Sequence, residues 1–147
     1  MQITPHFSLG ELTHSTTAIR KRIDNTPDER VVKNLFILAN GLERVRVVLR
    51  NSRMYLHDAF RCLLLNIAVG GSDNSAHMDG LAADFVCPDY GTPQDIVRAI
   101  MASDIPFDQL IFEGTWVHIS FAPTLRRQVL TAHFHPDGIT YTKGVEG

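Results

Sequence analysis

The chain contains seven histidines, and one of them, His77, lies in a stretch whose spacing could support metal chemistry. In NSAHMDGLAADF, residues 74–85, His77 is followed by Gly80 and then by Asp84. Because glycine accepts a positive φ without penalty, a reversal at Gly80 could bring Asp84 back towards His77. Imidazole nitrogen and carboxylate oxygen are both suitable zinc ligands. The stretch therefore fits two interpretations, a loop that enters an ordinary strand or two ligands of a metal site.

His118 offers a possible third ligand from later in the chain. The segment DQLIFEGTWVHISF, residues 108–121, contains two apolar runs that flank Gly114 and Thr115. This pattern predicts a β-hairpin with a two-residue turn, and His118 lies centrally in its second strand. If that strand joins the same sheet as Asp84, three protein ligands and one open position result. That is the arrangement of catalytic zinc sites.

The same hairpin offers an acid-base group, Glu113. With Gly114 and Thr115 as the turn, Glu113 pairs with Trp116 across it. Because side chains alternate along a strand and directly paired residues share a face, Glu113 points to the same side as His118. It could then take a proton from a metal-activated water and later give it to a leaving amine. The other interpretation is a solvent-facing glutamate beside a turn, and spacing alone favours that one.

The strongest helix signal covers about residues 27–50. Thr26 is a good N-cap, Pro27 suits the first turn, and Glu29 completes a capping box. Apolar residues then recur with helical periodicity at Val31, Leu35, Leu38, Leu42, Val45 and Leu49. We interpret this stripe as the packing face of a core helix that carries no chemistry itself.

Shorter signals complete the pattern of mixed helices and strands. RCLLLNIAV, residues 61–69, and TPQDIVRAIMAS, residues 92–103, predict two helices, the first ended by glycines and the second capped by Thr92. GLAADFVC, residues 80–87, predicts a buried strand, and Pro136-Asp137-Gly138 predicts a turn in the tail. We therefore expect a single α+β domain over residues 1–147, with helices packed on a small antiparallel sheet. That sheet should contain residues 81–87, 108–113 and 116–121.

Composition narrows the classes of partner and compartment. The net charge of -2 lacks the basic excess of a nucleic-acid-binding protein, so we expect no nucleic-acid partner. No apolar run approaches the roughly 18 residues of a membrane span, and the first residues lack a secretory signal pattern. The two cysteines, Cys62 and Cys87, are interpreted as free thiols. We expect a monomer that is cytoplasmic as synthesised.

The motif residues resemble the zinc D-Ala-D-Ala carboxypeptidase family. That family includes phage L-alanyl-D-glutamate endopeptidases and shares its fold with the Hedgehog signalling domain. Similarity extends over about residues 6–121, through HFSLGELTHSTTA, LNIAVGGS and FDQLIFEGTWVHISF. The family pattern SxHxxGxAxD followed by WxH is matched by Ser75, His77, Gly80, Ala82 and Asp84, and by Trp116 and His118. The resemblance implies a fold like that of the Hedgehog domain and these peptidases.

By resemblance, His77, Asp84 and His118 would bind zinc. The family also uses an acidic residue shortly before the second histidine as acid and base. In many members it lies three residues before, where this chain has Thr115, and the nearest acid is Glu113, five residues before. The resemblance and the hairpin pattern together nominate Glu113 for this role.

The resemblance further implies an arginine that polarises or holds the substrate, and the matching residue is Arg61 in HDAFRCLLLN. A guanidinium suits this role because its planar fork pairs with a carboxylate or carbonyl. The sequence departs from the family pattern around this position, with Asp58, Ala59, Phe60 and Cys62 replacing the usual Ser, Gly, Tyr and Ser. The added carboxylate of Asp58 could pair with Arg61 and reduce its effect, or it could lie outside the pocket. Substrate-binding roles are predicted for Ser75 and Trp116, although Ser75 could instead hydrogen-bond within the loop.

These expectations lead to two hypotheses. In the first, the protein is a zinc metallopeptidase that hydrolyses a D-Ala-D-Ala or L-Ala-D-Glu bond of peptidoglycan stem peptides, as a phage or prophage product acting on the cell wall would. In the second, it is a non-catalytic, zinc-containing module that binds peptidoglycan or another protein. A fourth protein ligand would favour the binding module, and an open fourth position would favour the enzyme. His133 and His135 could form a second metal site if their segment is a strand, but a polar surface strand is the preferred interpretation.

Overall fold

This computed structural model describes residues 1–145, and both helices and strands occur along this part of the chain. The helices are α1 (Leu9–Thr13), α2 (Thr16–Lys21), α3 (Glu29–Val48), α4 (Leu63–Ala68) and α5 (Pro93–Met101), with a 3-10 helix at Ala76–Asp79. The strands are β1 (Gln2–Thr4), β2 (Phe7–Ser8), β3 (Tyr55–Asp58), β4 (Ala82–Val86), β5 (Gln109–Phe112), β6 (Val117–Ser120), β7 (Gln128–His135) and β8 (Gly138–Lys143).

The larger sheet has six strands in the order β3-β4-β6-β5-β7-β8. Neighbours in this sheet pair antiparallel except β5 and β7, which are parallel. A separate antiparallel pair joins β1 and β2. The predicted α+β class is confirmed, and the three predicted strand segments correspond to β4, β5 and β6. The tail, for which the sequence predicted a turn at Pro136-Asp137-Gly138 and a polar surface strand at His133 and His135, extends the sheet by two strands.

One face of the six-stranded sheet packs on helices. Phe85, Leu110 and Val117 point to this side and are completely buried in one cluster with the apolar stripe of α3 and with Ile96 and Ile100 of α5. All six residues of the predicted stripe are at most 3% exposed, so its interpretation as a packing face is confirmed. Because side chains alternate across a sheet, the opposite face is left to carry polar chemistry.

The start of α3 corrects the predicted cap. The N-cap is Asp28, whose Oδ1 accepts a hydrogen bond from the Val31 amide at 2.9 Å. Thr26 lies two residues before this cap, and its hydroxyl donates to Asp24 Oδ1 at 2.6 Å. The helix therefore begins at Glu29 and ends at Val48, two residues inside each predicted boundary.

The other predicted elements are present with short adjustments. The helix predicted for residues 61–69 is α4, followed by Gly70 with φ of +74°. Thr92 caps α5 in a capping box with Asp95. Within residues 1–145, no helix combines the length and the apolar character needed to cross a bilayer.

Candidate metal centre

His77, Asp84 and His118 meet on the face of the sheet that the helices leave uncovered. Each contributes one potential ligand atom, and these atoms lie within 4.8 Å of one another. Asp84 Oδ1 is 2.9 Å from His118 Nδ1 and 3.2 Å from His77 Nε2. The spacing HxxGxxxD thus forms the pair that the metal-site interpretation requires, and the later hairpin supplies the third residue.

The loop before β4 fixes His77. Ser75 caps the 3-10 helix by accepting a hydrogen bond from the His77 amide, and Gly80 ends the helix with φ of +71°. His77 Nδ1 lies 2.6 Å from the Ala59 carbonyl oxygen. Because a carbonyl oxygen only accepts, Nδ1 donates this hydrogen bond, and Nε2 is the ring nitrogen that faces Asp84. This is the outer hydrogen bond that orients metal-binding histidines.

Strand register brings Asp84 and His118 together. The two residues are direct partners in the antiparallel pair of β4 and β6, so their side chains share a face. Burial alone would raise the pKa of the Asp84 carboxyl, but His77 and His118 hold that pKa well below its usual range. Burial alone would lower the pKa of His118, yet the hydrogen bond and charge of Asp84 raise it. Each charge is therefore stabilised by the other.

The donor set fits a zinc ion. Zinc prefers imidazole and carboxylate ligands at roughly 2.0–2.2 Å, and a tetrahedral arrangement then separates ligand atoms by about 3.3–3.6 Å. The observed separations of 2.9 and 3.2 Å are close to that range. Within residues 1–145 the group comprises these three residues, which leaves one position of a four-coordinate ion for a small molecule. The arrangement can therefore hold a metal ion with the stoichiometry of ligands seen in catalytic sites.

Glu113 adopts the geometry predicted from the hairpin. The Glu113 amide donates to the Trp116 carbonyl at 3.1 Å, one step beyond the last strand pair, Phe112 with Val117. Its side-chain Oε1 accepts a hydrogen bond from Trp116 Nε1 at 2.8 Å. Burial, and next the negative charge of Asp84, raise the pKa of the Glu113 carboxyl. Glu113 is therefore a partly buried carboxylate near the ligand group, and the interpretation as a solvent-facing residue does not describe it.

Arg61 lies at the other side of the ligand group and is paired. Its Nη1 donates to Asp58 Oδ2 at 2.8 Å, and its Nη2 donates to Ser75 Oγ at 3.2 Å. The two charged side chains are only 13% and 21% exposed, and Asp58 does not itself line the cavity that contains Arg61, so it acts on the site through Arg61. The Arg61 amide also donates to the His77 carbonyl. The Ser75 hydroxyl thus accepts hydrogen bonds from the His77 amide and from Arg61. This is the alternative role, hydrogen bonding within the loop, that the sequence left open.

A single cavity of about 800 Å³ is lined by the three potential metal ligands and by Arg61, Ser75, Glu113 and Trp116. Its wall also includes residues that the sequence reasoning did not nominate, namely Leu130, Phe134, Ile139 and Tyr141 of β7 and β8. Phe134 contacts Trp116, with ring centroids 6.2 Å apart. A signal for these residues exists in the alternation of apolar and polar residues along TAHFH and ITYTK, which indicates strands with one apolar face.

The remaining histidine candidates lie apart from the ligand group. His133 and His135 are exposed on β7, where each ring pairs with a threonine hydroxyl of β8 at 2.9 Å. This is the polar surface strand that was preferred over a second metal site. Cys62 and Cys87 are free thiols, as interpreted from the sequence.

Comparison with known proteins bears on the same stretch of chain. The family model described as Peptidase M15 matches residues 5–120. That range includes all three potential metal ligands together with Arg61 and Glu113. None of the curated proteins matches the chain.

Proposed function

The chain belongs to the peptidase M15 family, and on that premise we propose that it is a zinc metallopeptidase that hydrolyses peptidoglycan stem peptides. The observation that carries the proposal is the meeting of His77, Asp84 and His118 within 4.8 Å in a cavity that also contains Glu113. A metallopeptidase needs a metal with an open position and a nearby proton carrier, and this cavity offers residues suited to both needs.

In the proposed reaction His77, Asp84 and His118 hold the zinc ion. When bound, zinc supplies Lewis-acid polarisation of the scissile carbonyl and makes water nucleophilic near neutral pH. Glu113 accepts the proton that the attacking water loses and then donates it to the leaving nitrogen. Its raised pKa suits this exchange, because an acid-base group works best when its pKa approaches the working pH.

The hydrogen bond from Trp116 holds one oxygen of Glu113, which leaves the other oxygen for the proton transfer. Arg61 holds the substrate or stabilises the negative charge that develops on the carbonyl oxygen. Its pairing with Asp58 lowers the net positive charge at this end of the cavity, and its Nε is buried without a partner. Ser75 orients Arg61, and Trp116 contributes to the substrate-binding wall.

The bond that is cleaved is D-Ala-D-Ala in one version of the proposal and L-Ala-D-Glu in the other. Both versions imply a protein that reaches the cell wall, as a phage or prophage product does. A second candidate function, a non-catalytic zinc-containing module that binds peptidoglycan or protein, is favoured by one observation. Asp58 neutralises Arg61, which would weaken a catalytic role of that arginine.

One experiment tests the proposal and separates the two functions. Purified muropeptides are incubated with the zinc-loaded wild type and with Glu113→Gln, and products are identified by mass spectrometry. We expect the wild type to release D-Ala or to split the L-Ala-D-Glu bond, and the variant to be slower by roughly 10²- to 10⁴-fold.

The matched control is Glu29→Gln, which changes an exposed glutamate in the first turn of α3 and should retain wild-type activity. Zinc binding with intact muropeptides in every sample would reject the peptidase proposal for these substrates and favour the binding module. Equal activity of wild type and Glu113→Gln would reject the role of Glu113.

A further inference from the structure

The hairpin of β7 and β8 has an apolar face that does not pack in the core. Ala132 pairs with Tyr141 and Phe134 pairs with Ile139, so these side chains share one face. Phe134, Ile139 and Tyr141 are 53%, 49% and 49% exposed, although large apolar side chains gathered on one face are usually buried or bind something. The opposite face carries the hydrogen-bonded histidine and threonine pairs. The hairpin is therefore amphipathic, and its apolar side faces open space.

That open space is the cavity of the metal ligands. Phe134, Ile139 and Tyr141 line it together with Glu113 and His118. The register explains this, because β7 lies beside β5 with Ile111 opposite Leu130, and Ile111 is also the partner of His118. The hairpin is beyond the matched residues 5–120, so the family assignment does not account for this wall.

The wall is uncharged where it approaches Glu113. The residues that β7 and β8 contribute to the cavity are Gln128, Leu130, Phe134, Ile139 and Tyr141, none of which is ionised near neutral pH. Phe134 packs against Trp116, which in turn donates to Glu113. Burial, and next the negative charge of Glu113, raise the pKa of the Tyr141 phenol. The second cause agrees with a phenol that faces the carboxylate. Lys143 of β8 lies on the same face, opposite Leu130, but it does not line the cavity. An acidic group placed beside Phe134 and Ile139 would therefore meet the Glu113 carboxylate with no cation among the hairpin residues that line the cavity.

The position of Glu113 indicates which side of the scissile bond lies next to the apolar face of the hairpin. In the proposed reaction Glu113 donates a proton to the leaving nitrogen, so that nitrogen lies on the Glu113 side of the metal ligands. In the sheet order β6-β5-β7-β8, that side leads directly to the hairpin. The substrate residue that carries the leaving nitrogen is therefore the residue that contacts the wall.

We propose that the apolar face of the β7–β8 hairpin is a specificity subsite that takes an uncharged, apolar side chain on the substrate residue whose amine is released. The inference rests on the D-Ala-D-Ala version of the proposed function, because the residue released from an L-Ala-D-Glu bond would carry an acidic side chain. Phe134, Ile139 and Tyr141 supply the contact surface, and Trp116 links that surface to the acid-base residue.

The test measures binding, so it does not depend on turnover. Trp116 is the only tryptophan of the chain, and its emission reports occupancy of the subsite. The probes are two pairs of synthetic stem-like peptides in which D-leucine or D-aspartate follows either L-Ala or D-Ala. For at least one pair, the zinc-loaded wild type should bind the leucine peptide about tenfold more tightly, which corresponds to burying roughly half of a leucine side chain.

Variants of the two faces identify the surface responsible. Phe134→Ser and Tyr141→Ser should each reduce the preference to less than about threefold, while Tyr141→Phe, which keeps the apolar ring, should retain it. His133→Ser changes the opposite face of the same strand and should also retain it. Thermal unfolding of each variant verifies that the fold is intact, as the half-exposed positions lead us to expect.

The outcomes separate the subsite from the peptidase activity. No leucine preference in the wild type, or a preference that survives in both serine variants, would overturn the subsite even if the wild type cleaves muropeptides. A preference that depends on Phe134 and Tyr141 would support the subsite even if the wild type cleaves nothing, in which case the proposed activity alone would fail.

Discussion

Replacing Gly80 by alanine tests the turn that joins His77 to Asp84. Gly80 has φ of +71°, a region that L-residues rarely adopt. A Cβ atom at this position would lie 3.0 Å from Val31 Cγ1 and 3.2 Å from Leu35 Cδ2. Both neighbours are buried on α3, so the new methyl group has little room to be accommodated.

Two unfavourable effects should add at this position. The left-handed conformation costs an alanine roughly 1–2 kcal/mol, and the lower entropy of the unfolded alanine chain offsets about 0.5–1 kcal/mol of that. Crowding against a packed core costs roughly 1–2 kcal/mol more. We therefore expect Gly80→Ala to lower the free energy of unfolding by about 2–3 kcal/mol.

Gly144→Ala is the matched control. Gly144 has a similar φ of +76°, but a Cβ atom there would have no neighbour within 4 Å among residues 1–145. Its cost should be only about 1 kcal/mol, because strain acts without crowding. Urea unfolding of the zinc-free proteins, compared at equal m values, measures both changes. The reasoning is refuted if Gly80→Ala is no more destabilising than Gly144→Ala.

Three further predictions concern the surroundings of the ligand group. Asp58→Asn leaves the largely buried guanidinium of Arg61 without its counter-charge, so the free energy of unfolding should fall by about 1–3 kcal/mol in urea titrations, and an unchanged value would contradict the pairing. Trp116→Phe removes the hydrogen bond that lowers the pKa of Glu113; the acidic limb of the kcat profile should move to higher pH at unchanged zinc content, and a limb that stays in place would be evidence against this role. In the zinc-free protein, the raised pKa of His118 stabilises the fold below pH about 6.5, and this stability is lost as pH rises through the folded-state pKa. The thermal midpoint of the wild type should therefore fall above neutral pH, and that of His118→Gln should fall less. Parallel profiles of the two proteins would exclude this contribution of His118.

The sequence predicted those parts of the site that depend on short-range patterns. Gly80 was identified as a reversal because only glycine accepts that conformation freely, and the structure contains the turn. The register of Glu113 with Trp116 followed from a two-residue turn and the alternation of side chains. Both features lie within about ten residues of chain, where local rules determine the geometry.

Features that depend on contacts between distant segments, or on the choice between two neighbouring N-cap residues, were not predictable. Thr26 and Asp28 are both good N-caps in isolation; the helix uses Asp28, while the Thr26 hydroxyl donates to Asp24. The position of Asp58 next to the ligand group depends on β3 pairing with β4, which puts Asp58 opposite Asp84. The apolar wall depends on β7 joining β5 in parallel, a pairing that no local pattern specifies.

Zinc content tests the central claim most directly. Wild type, His118→Ala and the surface control His133→Ala are stripped with chelator, reconstituted with excess zinc, passed over a desalting column, and analysed for metal by mass spectrometry. The account predicts about one zinc per chain in the wild type and in His133→Ala, and a large loss in His118→Ala, because two remaining ligands hold zinc weakly. A wild type without zinc, or a His118→Ala variant that retains it fully, would contradict the assignment of His77, Asp84 and His118 as the metal centre.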